Sequence, residues 1–419
     1  MFHLLVRKTG TPEIATFQRA LPSLSPLGMT QFAYVFERFP SYLQTFCYRE
    51  IAELDRQGET PPLFSIRQPD DEPPQDWDKK IVARVQYVPG EPQLVREVER
   101  ALKRKELNQE MVELVAEWGR RSDFLRLYQA IYVGSRLQKL GTNHLHAHFA
   151  GMAARTAFWI NKFFGVPFSF TAHANDIFAP QEFEVSLEKL IGAASAVVVV
   201  SDYAANFLKE RFSANAAKIH RIYNGLELSK FKRADFVNAI PTIVSIGRLI
   251  DKKGFADLIR ACDLLKKRGR DFHCEIIGEG PLENDLRTQI AQLKSQVNLA
   301  GPKTQTQIIQ QLAKASVLAL PCVVGPDGAR DNLPTVIMEA MAAGVPVVST
   351  TVGGIAEMVA HGESGFLVEP HNPVALADAI EKVIGDPALA RRLGQAGHER
   401  AQQLFSIERN VRELRELLL

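Results

Sequence analysis

The chain has 419 residues, 46% of them hydrophobic, which is enough length and apolar content for two domains. Its 50 basic and 48 acidic residues nearly cancel, so the strong basic excess of a nucleic-acid-binding protein is absent. The four cysteines lack metal-ligand spacing, no run approaches the roughly 18 apolar residues of a membrane span, and the first residues lack a secretory pattern, so we expect a cytoplasmic protein without a structural metal.

The first third of the chain predicts an extension, a strand–helix unit and a long helical region. Residues 1–28 combine several prolines with weak periodicity, and we interpret them as an extension outside the fold. Phe32–Phe36 predicts a buried strand and Phe46–Arg56 an amphipathic helix. Residues 91–140 are predicted to be mostly helical. Their basic residues fit either a solvated helix face, the simpler interpretation, or contact with the inner leaflet of a membrane.

Strands and helices then alternate in two series. The first runs over residues 144–211, and the second, after a polar stretch, begins at Thr242 and continues to Val368. Such alternation is typical of parallel sheets covered by helices, with ligands bound beyond the carboxyl ends of the strands. We predict one Rossmann-like domain over 29–236 and another over 237–400. A helix over 401–419 is predicted to pack back on the first.

The loop after the first strand of the second half combines glycine with two cations. Gly247 lets the backbone approach a ligand, while Arg248 and Lys253 lie beside a helix N-terminus. This pattern suits a diphosphate, although an ordinary solvated loop fits equally well. After the next strand, Gly278 and Gly280 permit either close approach of a ligand or a simple tight turn.

The stretch around Asp331 is the most informative. We interpret Asp331 as the N-cap of a helix opened by Asn332, Leu333 and Pro334. Glu339 lies within that helix among apolar residues. A buried carboxylate there could accept hydrogen bonds from vicinal hydroxyls, such as those of a ribose, or could be satisfied by the backbone or an arginine.

Histidines end two strands of the first half. His146 and His148 alternate along one strand and share a face, which raises the possibility of a metal site. No clear third ligand accompanies them, so metal binding is the weaker interpretation. His173, at the carboxyl end of the next strand, is predicted to face the cleft and is the better functional candidate.

Taken in order, these segments resemble family 4 of the retaining glycosyltransferases over about residues 30–405. The most specific match is a carboxylate, seven residues and then Glu, followed by Ala-Met-Ala-x-Gly-x-Pro-Val-Val, which here extends from Asp331 to Val348. Supporting matches are Gly247-Arg248 with Lys253-Gly254, Gly278-Glu-Gly-Pro281, Asn224-Gly225 and Gly353-Gly354-Ile-Ala-Glu357.

The chain also resembles a branch that builds exopolysaccharides, colanic acid included. The segments that carry this likeness are Phe39-Pro40-Ser41 with Thr45-Phe46, His146-Ala-His148-Phe149, and Thr171-Ala172-His173 with Asp176. The resemblance implies the GT-B fold, an α/β architecture of two facing Rossmann-like domains with a deep cleft between them. It further implies a metal-independent, retaining hexosyltransferase, cytoplasmic or peripheral at the cytoplasmic membrane face. Its donor would be a UDP- or GDP-linked sugar and its acceptor a glycan or lipid-linked glycan.

The resemblance also assigns roles to residues. Arg248 and Lys253 would hold the donor diphosphate, Glu339 the ribose hydroxyls, and His173 and Asp331 the transferred sugar. The residues implied in the transfer step are His173, Arg248, Lys253 and Asp331. Others on the donor side are Gly247, Gly278, Gly280, Asn332, Leu333 and Glu339. Those on the acceptor side are Pro40, Ser41, Thr45 and His148.

Some positions depart from the family pattern. Asp331 stands where many members have Glu, Asn332 where Gly is usual, and Gln44 where the branch often has Glu. Arg38-Phe39-Pro40 replaces the usual Gly-Gly turn. Two other functions stay compatible with the residues alone: a nucleotide-sugar epimerase of similar fold, and a non-catalytic glycan-binding relative.

Overall fold

The computed structural model describes residues 32–69, 72, 75–104, 107–118, 123–179, 182–234 and 240–419. The extension predicted at 1–28 lies outside these residues. In the described residues, the strands form two sheets in which every pair is parallel.

The first sheet belongs to the first half of the chain, and its strand order is β3-β2-β1-β4-β5-β6-β7. Its strands are Phe32–Arg38 (β1), Leu63–Arg67 (β2), Val85–Tyr87 (β3), His144–His148 (β4), Phe168–Ala172 (β5), Ala196–Val199 (β6) and Ile219–Arg221 (β7). The described helices of this half are Thr45–Arg56 (α1), Lys79–Ala83 (α2), Glu91–Lys103 (α3), Gln109–Trp118 (α4), Phe124–Leu140 (α5), Met152–Phe164 (α6), Ala174–Phe178 (α7), Leu187–Ala193 (α8) and Asp202–Arg211 (α9).

The second sheet has the order β10-β9-β8-β11-β12-β13. Its strands are Thr242–Ile246 (β8), His273–Ile277 (β9), Val297–Leu299 (β10), Val317–Leu320 (β11), Val347–Thr350 (β12) and Gly365–Val368 (β13). The helices that follow in this half are Phe255–Lys267 (α10), Glu283–Leu293 (α11), Gln305–Leu312 (α12), Thr335–Ala342 (α13), Ile355–Met358 (α14), Pro373–Gly385 (α15), Pro387–Leu404 (α16) and Ile407–Leu418 (α17). In both sheets the first strand lies inside the sheet and the order reverses beside it, which is the Rossmann arrangement. The predicted α/β architecture of two Rossmann-like halves is confirmed.

Most of the inner strands are largely apolar because helices cover both faces of each sheet. Val347–Thr350 is wholly buried, as are Phe168–Ala172 and Ala196–Val199. Parallel strands with both faces covered have near-continuous apolar runs rather than alternating ones. Separate apolar cores therefore form within the two halves.

The last helix of the chain returns to the first half. After α16 packs on the second sheet, Leu226 N–H donates to the Phe405 carbonyl at 2.7 Å, and α17 then lies against α1. Ile407, Val411 and Leu414 join the apolar cluster around Tyr34. The two halves are therefore joined by two chain crossings.

None of the described helices combines the length and the apolar character that crossing a membrane requires.

Candidate active site

The strand order reverses between β1 and β4 in the first sheet and between β8 and β11 in the second. Loops on either side of such a switch point leave a crevice at the carboxyl ends of the strands, where ligands bind. Loops of both halves here line one cavity of about 890 Å³. Its walls include Phe149 after β4, Arg248 after β8 and Asp331 after β11.

Lys253 and Asp331 form an ion pair in the wall of this cavity. Lys253 Nζ lies 2.5 Å from Asp331 Oδ2, and Lys252 Nζ lies 3.4 Å from Oδ1. Burial favours a higher pKa for Asp331, but the two ammonium groups outweigh burial and lower the pKa. Burial favours a lower pKa for Lys253, and Asp331 outweighs it and raises the pKa. Both groups are therefore charged at neutral pH.

Arg248 is the exposed cation of the same loop. It lines the cavity of about 890 Å³ and an adjoining cavity of about 350 Å³, as Lys253 and Asp331 also do. Within the part of the chain that the structure describes, Arg248 has no carboxylate within ion-pair distance. The loop thus presents two paired cations, Lys252 and Lys253, and the unpaired Arg248 to the same space.

The interpretation of Asp331 as a helix N-cap is wrong. The helix begins at Thr335 with Pro334 at the N-cap position, and the carboxylate of Asp331 turns instead toward the ammonium groups of the loop after β8. Asn332 and Leu333 follow in the cavity wall, and Asn332 Oδ1 accepts a hydrogen bond from Ser201 Oγ at 2.5 Å. Attraction to nearby cations outweighs capping, because a cap satisfies only one or two backbone donors.

Glu339 lies on α13 and lines the adjoining cavity. Its side chain is 5% exposed, and its Oε1 accepts a hydrogen bond from Arg49 Nη2 at 2.5 Å. Arg49 belongs to α1, so this ion pair joins the two halves of the chain. The sequence left open whether this buried carboxylate is satisfied by a ligand, by the backbone or by an arginine. In the structure an arginine binds it.

The predicted glycines set the spacing of the loops after β8 and β9. Gly247 and Gly278 line the adjoining cavity. Gly278 has a φ of 146°, and a Cβ there would lie 2.0 Å from the Gly247 carbonyl oxygen. A Cβ at Gly280 would lie 2.6 Å from the Leu249 carbonyl oxygen. Gly280 therefore serves loop packing, whereas Gly247 and Gly278 also contribute to the cavity wall.

His173 follows β5 and lines the larger cavity. Its ring packs against Phe149 and Phe46, with centroids 4.3 Å and 4.7 Å away. Its backbone N–H donates to the Asp176 carboxylate at 2.9 Å. Phe149 has a φ of 71°, a left-handed conformation that is uncommon for a bulky side chain and often occurs at functional sites.

His148 lies behind His173, in the core rather than on the cavity wall. Its Nε2 is 3.2 Å from Glu50 Oε1, which also accepts a hydrogen bond from Tyr34 Oη at 2.7 Å. Burial favours a lower pKa for His148, but Cys47 and Glu50 outweigh burial and raise the pKa to about 10. Burial and the charge of His148 lower the pKa of His173. His148 Nδ1 lies 3.4 Å from His173 Nε2, so the buried His148 ring orients the ring of His173.

His146 takes part in the same polar network. Its ring nitrogens lie 2.8 Å from Ser169 Oγ and 3.0 Å from Thr171 Oγ1. The structure also supplies the third ligand that the sequence lacked, since ligand atoms of His146, His148 and Glu50 lie within 4.8 Å of one another. All three groups already have hydrogen-bond partners, so the arrangement is explained by a buried polar network.

The residues predicted for the acceptor side are dispersed. Thr45 lines the adjoining cavity, whereas Ser41 is buried and donates to Glu72 Oε1 at 2.8 Å, with buried Pro40 beside it. Other residues of the first half line the larger cavity: Glu37, Leu43, Gln44, Phe46, Phe149 and Asn175.

Lys252, Asn175 and Arg49 are among the site residues that were not predicted. Lys252 binds Asp331 and also donates to Asn175 Oδ1 at 3.0 Å, which links the two halves. The adjacent Lys253 and the Ala-Asn-Asp run after His173 were signals for this pair. Arg49 gave no signal, because arginine is ordinary on an amphipathic helix.

Two family models match consecutive parts of the chain. Residues 43–230 match the model described as Glycosyltransferase Family 4, and residues 229–400 match Glycosyl transferases group 1. The matches meet where the first sheet gives way to the second. Together they identify the chain as a glycosyltransferase. The predicted family resemblance is therefore confirmed.

This glycosyltransferase is similar to enzymes named for exopolysaccharide synthesis. It is 36% identical over 207 residues to the amylovoran biosynthesis glycosyltransferase AmsK of Erwinia amylovora, covering 48% of this chain and 51% of AmsK. It is 38% identical over 204 residues to WcaL of Escherichia coli K12, named for colanic acid biosynthesis, covering 46% of this chain and 49% of WcaL. Each match spans about half of the relative.

The glycosyltransferase also resembles solved structures. Anabaena HepE, solved in complex with UDP, aligns with a TM-score of 0.68 at 19% identity, covering 93% of this chain and 99% of HepE. At that identity the likeness shows the fold alone, which is the predicted GT-B fold.

Proposed function

We propose that this glycosyltransferase moves a sugar from a UDP- or GDP-linked donor to a hydroxyl of a glycan or lipid-linked glycan, with retention of anomeric configuration. The observation that carries the proposal is the Arg248, Lys253 and Asp331 cluster at the switch point of the second sheet, inside a cavity that both halves line. Cations fixed at a crevice of this kind suit an anionic ligand that carries a sugar.

The site residues divide by the part of the donor that they would meet. Arg248 and Lys253 hold the diphosphate, and Glu339 accepts hydrogen bonds from the ribose. His173 and Asp331 contact the transferred sugar, with the backbone amides after Asp331. The adjoining cavities of about 890 and 350 Å³ share the cations, which supports a sugar on one side of the diphosphate and a nucleoside on the other.

The transfer step depends on stabilising the leaving group. The bond between the anomeric carbon and the diphosphate oxygen breaks, and the acceptor oxygen bonds to the same face of that carbon. The acceptor proton passes to the departing phosphate oxygen. Preorganised cations in a water-poor cleft stabilise the charge that develops on the diphosphate. In this proposal Arg248 and Lys253 perform that role without a metal ion.

The biological setting is proposed from the relatives. AmsK and WcaL are named for amylovoran and colanic acid, and HepE was solved with UDP. We place this enzyme in exopolysaccharide or cell-surface polysaccharide synthesis in the cytoplasm, where nucleotide sugars are made. The acceptor would approach from the first half, past Gln44, Phe46 and Phe149.

The test is a transfer assay with UDP- and GDP-linked hexoses and lipid-linked glycan acceptors, in buffer with and without excess EDTA. We expect acceptor-dependent release of nucleoside diphosphate that persists in EDTA, and a product with the anomeric configuration of the donor by NMR. Loss of turnover on chelation, restored by manganese, would overturn the metal-independent mechanism. Nucleotide binding without transfer to any acceptor would count against the proposed reaction.

A further inference from the structure

The ion pair between Arg49 and Glu339 lies between two cavities. Glu339 lines the cavity of about 350 Å³ that contains Arg248 and Lys253, whereas Arg49 lines a neighbouring cavity of about 200 Å³. The two spaces share Thr45 and other residues at their boundary. Glu339 therefore lies on the cation side of this boundary and Arg49 on the other side, and their ion pair spans it.

Only part of that guanidinium is satisfied. Arg49 Nη2 donates to Glu339 Oε1 at 2.5 Å, but Nη1 is buried and has no hydrogen-bond partner among the described residues. Buried donors are nearly always paired, because an unpaired buried N–H loses its bonds to water without replacement. An acceptor from a ligand would satisfy Nη1 without disturbing the ion pair.

The geometry of the guanidinium allows both interactions at once. Its N–H groups form a rigid planar fork, so one edge can hold a carboxylate while another donates to a second oxygen. A vicinal diol bound by Glu339 offers such an oxygen, since each hydroxyl donates once and can also accept.

We propose that Arg49 is a ribose-binding residue. One arm of its fork holds the Glu339 carboxylate in place, and Nη1–H donates to a hydroxyl oxygen of the donor ribose. This inference rests on the proposed role of Glu339 in binding the nucleotide. Its consequence is that the nucleoside subsite draws on both halves of the chain, so the nucleotide bridges them.

Calorimetric titration of the full chain tests the assignment. The probes are UDP and GDP, and then the 2′-deoxy and 3′-deoxy forms of whichever binds. The variants are Arg49→Met, which keeps the apolar stem, and Arg49→Lys, which keeps the charge without the fork. Thr306→Val is the matched control, because it removes another contact between the halves, the 2.8 Å hydrogen bond from Thr306 Oγ1 to Asp76 Oδ2.

We expect Arg49→Met to weaken binding of the ribonucleotide at least tenfold, with Arg49→Lys intermediate and Thr306→Val like the parent. The parent should discriminate against at least one deoxynucleotide, and Arg49→Met should lose most of that discrimination. If the parent and both Arg49 variants prefer the ribonucleotide over the deoxynucleotide by the same factor, the inference is overturned. Arg49 would then serve only to join the two halves through its ion pair with Glu339. A parent that binds neither UDP nor GDP would instead refute the proposed function.

Discussion

Arg248 and Lys253 lie in one loop and line the same cavities, yet their surroundings differ. The Lys253 side chain is 14% exposed and paired with Asp331, whereas Arg248 is exposed to solvent. Of these two residues, only Lys253 therefore neutralises a buried carboxylate of the fold in addition to lining the proposed diphosphate site. Replacing each residue should separate the two roles.

Arg248→Ala should slow transfer without unfolding the protein. Losing one preorganised donor to a developing anion costs about 2.7–4 kcal/mol, or roughly 100- to 1,000-fold in turnover. An exposed side chain without a described ion pair should change the free energy of unfolding by less than about 0.5 kcal/mol. Steady-state transfer and urea unfolding measure the two effects. Arg392→Ala, at an exposed arginine on α16, is the control and should change neither. Turnover within threefold of the parent would contradict the role of Arg248.

Lys253→Ala should lower both turnover and stability, because it leaves the buried Asp331 carboxylate with the more distant Lys252 as its remaining cation and the Cys322 thiol as a neutral donor. Removing one member of a buried pair costs about 3–5 kcal/mol, and the remaining ammonium should keep the loss near the lower value. Urea unfolding measures it. The double variant Lys253→Ala with Asp331→Asn should recover part of the stability but none of the turnover. A single variant as stable as the parent would contradict this account of the pair.

Residue identity predicted some of this chemistry and missed the rest. Gly247, Arg248 and Lys253 were singled out because cations and glycine in a strand–helix loop suit an anion, and the structure places them in the walls of the cavities. The cap assigned to Asp331 was wrong because capping is a local rule, and the carboxylate is satisfied by a loop more than 70 residues earlier in the chain. The role of Arg49 depends on a partner in the other half, which no local pattern encodes.

Strand β4 and the position directly after β5 carry three buried histidines with lowered pKa values. Burial lowers the pKa of His144 to about 4, and burial with nearby histidines lowers those of His146 and His173 well below the ordinary value. Unfolded histidine titrates near 6.5. Below that pH the unfolded chain takes up protons that the folded chain does not, so the free energy of unfolding falls as the pH falls.

Other buried groups nearby act with the opposite sign. Burial raises the pKa of Asp176 to about 6, so it stabilises the folded protein at low pH and loses that effect as the pH rises through about 4 to 6. The pKa of His148 is raised to about 10, so its contribution is complete below about 6.5 and is lost as the pH rises toward 10. As the pH falls below about 6.5, the three histidines therefore lower the free energy of unfolding, whereas the single carboxyl group of Asp176 raises it.

Stability should accordingly fall between pH 6.5 and pH 5. Each buried neutral histidine contributes at most about 1.4 kcal/mol per pH unit in this range. Urea unfolding at several pH values measures the slope, and His146→Gln should make it shallower because one such group is removed. His273→Gln, at an exposed position of β9, should leave the slope as it is. An unchanged slope in His146→Gln would contradict the assignment.

The strength of the sequence signal differed between elements. The inner strands β8, β9 and β11 were predicted because each is a buried apolar run between turn residues. The edge strands β3, β7 and β10 have three residues each, too few for a period to show. The strand β2, with five residues, was also not predicted. The crossover order of both sheets follows from pairing in three dimensions rather than from any single element.

On the scale of the whole molecule, Glu357 joins the halves at the start of α9. Its carboxylate accepts hydrogen bonds from the backbone N–H groups of Asp202 at 2.8 Å and Tyr203 at 2.6 Å, and from Tyr223 Oη at 3.2 Å. An anion at a helix N-terminus satisfies free backbone donors and interacts favourably with the helix dipole. A residue after β12 thus caps a helix of the other half.

Glu357→Ala should loosen this contact. Loss of a cap costs about 0.5–2 kcal/mol, and the amides of Asp202 and Tyr203 should exchange with deuterium roughly tenfold faster. Hydrogen-exchange NMR or mass spectrometry measures the change, with Glu369→Ala at an exposed position as the control. Unchanged exchange in the first turn of α9 would show that Glu357 does not hold the halves together there.

The two-half architecture could be predicted from the sequence, but the contacts between the halves could not. Alternating strands and helices report the fold of each half, since periodicity reflects burial within one element. Ser201 and Asn332, or Asp202 and Glu357, meet across more than 130 positions of sequence. Only the relative placement of the two sheets brings them together.

The return of α17 to α1 affects how the protein is made on the ribosome. The apolar side of α1 emerges early, but the helix that covers it begins only at Ile407. At 5–20 residues per second, roughly 20–70 s of synthesis separate the two helices. The second half can therefore complete its core while the first half still exposes apolar surface. We expect nascent chains that stop before Ile407 to bind chaperones through the uncovered side of α1, and to release them once α17 has been synthesised.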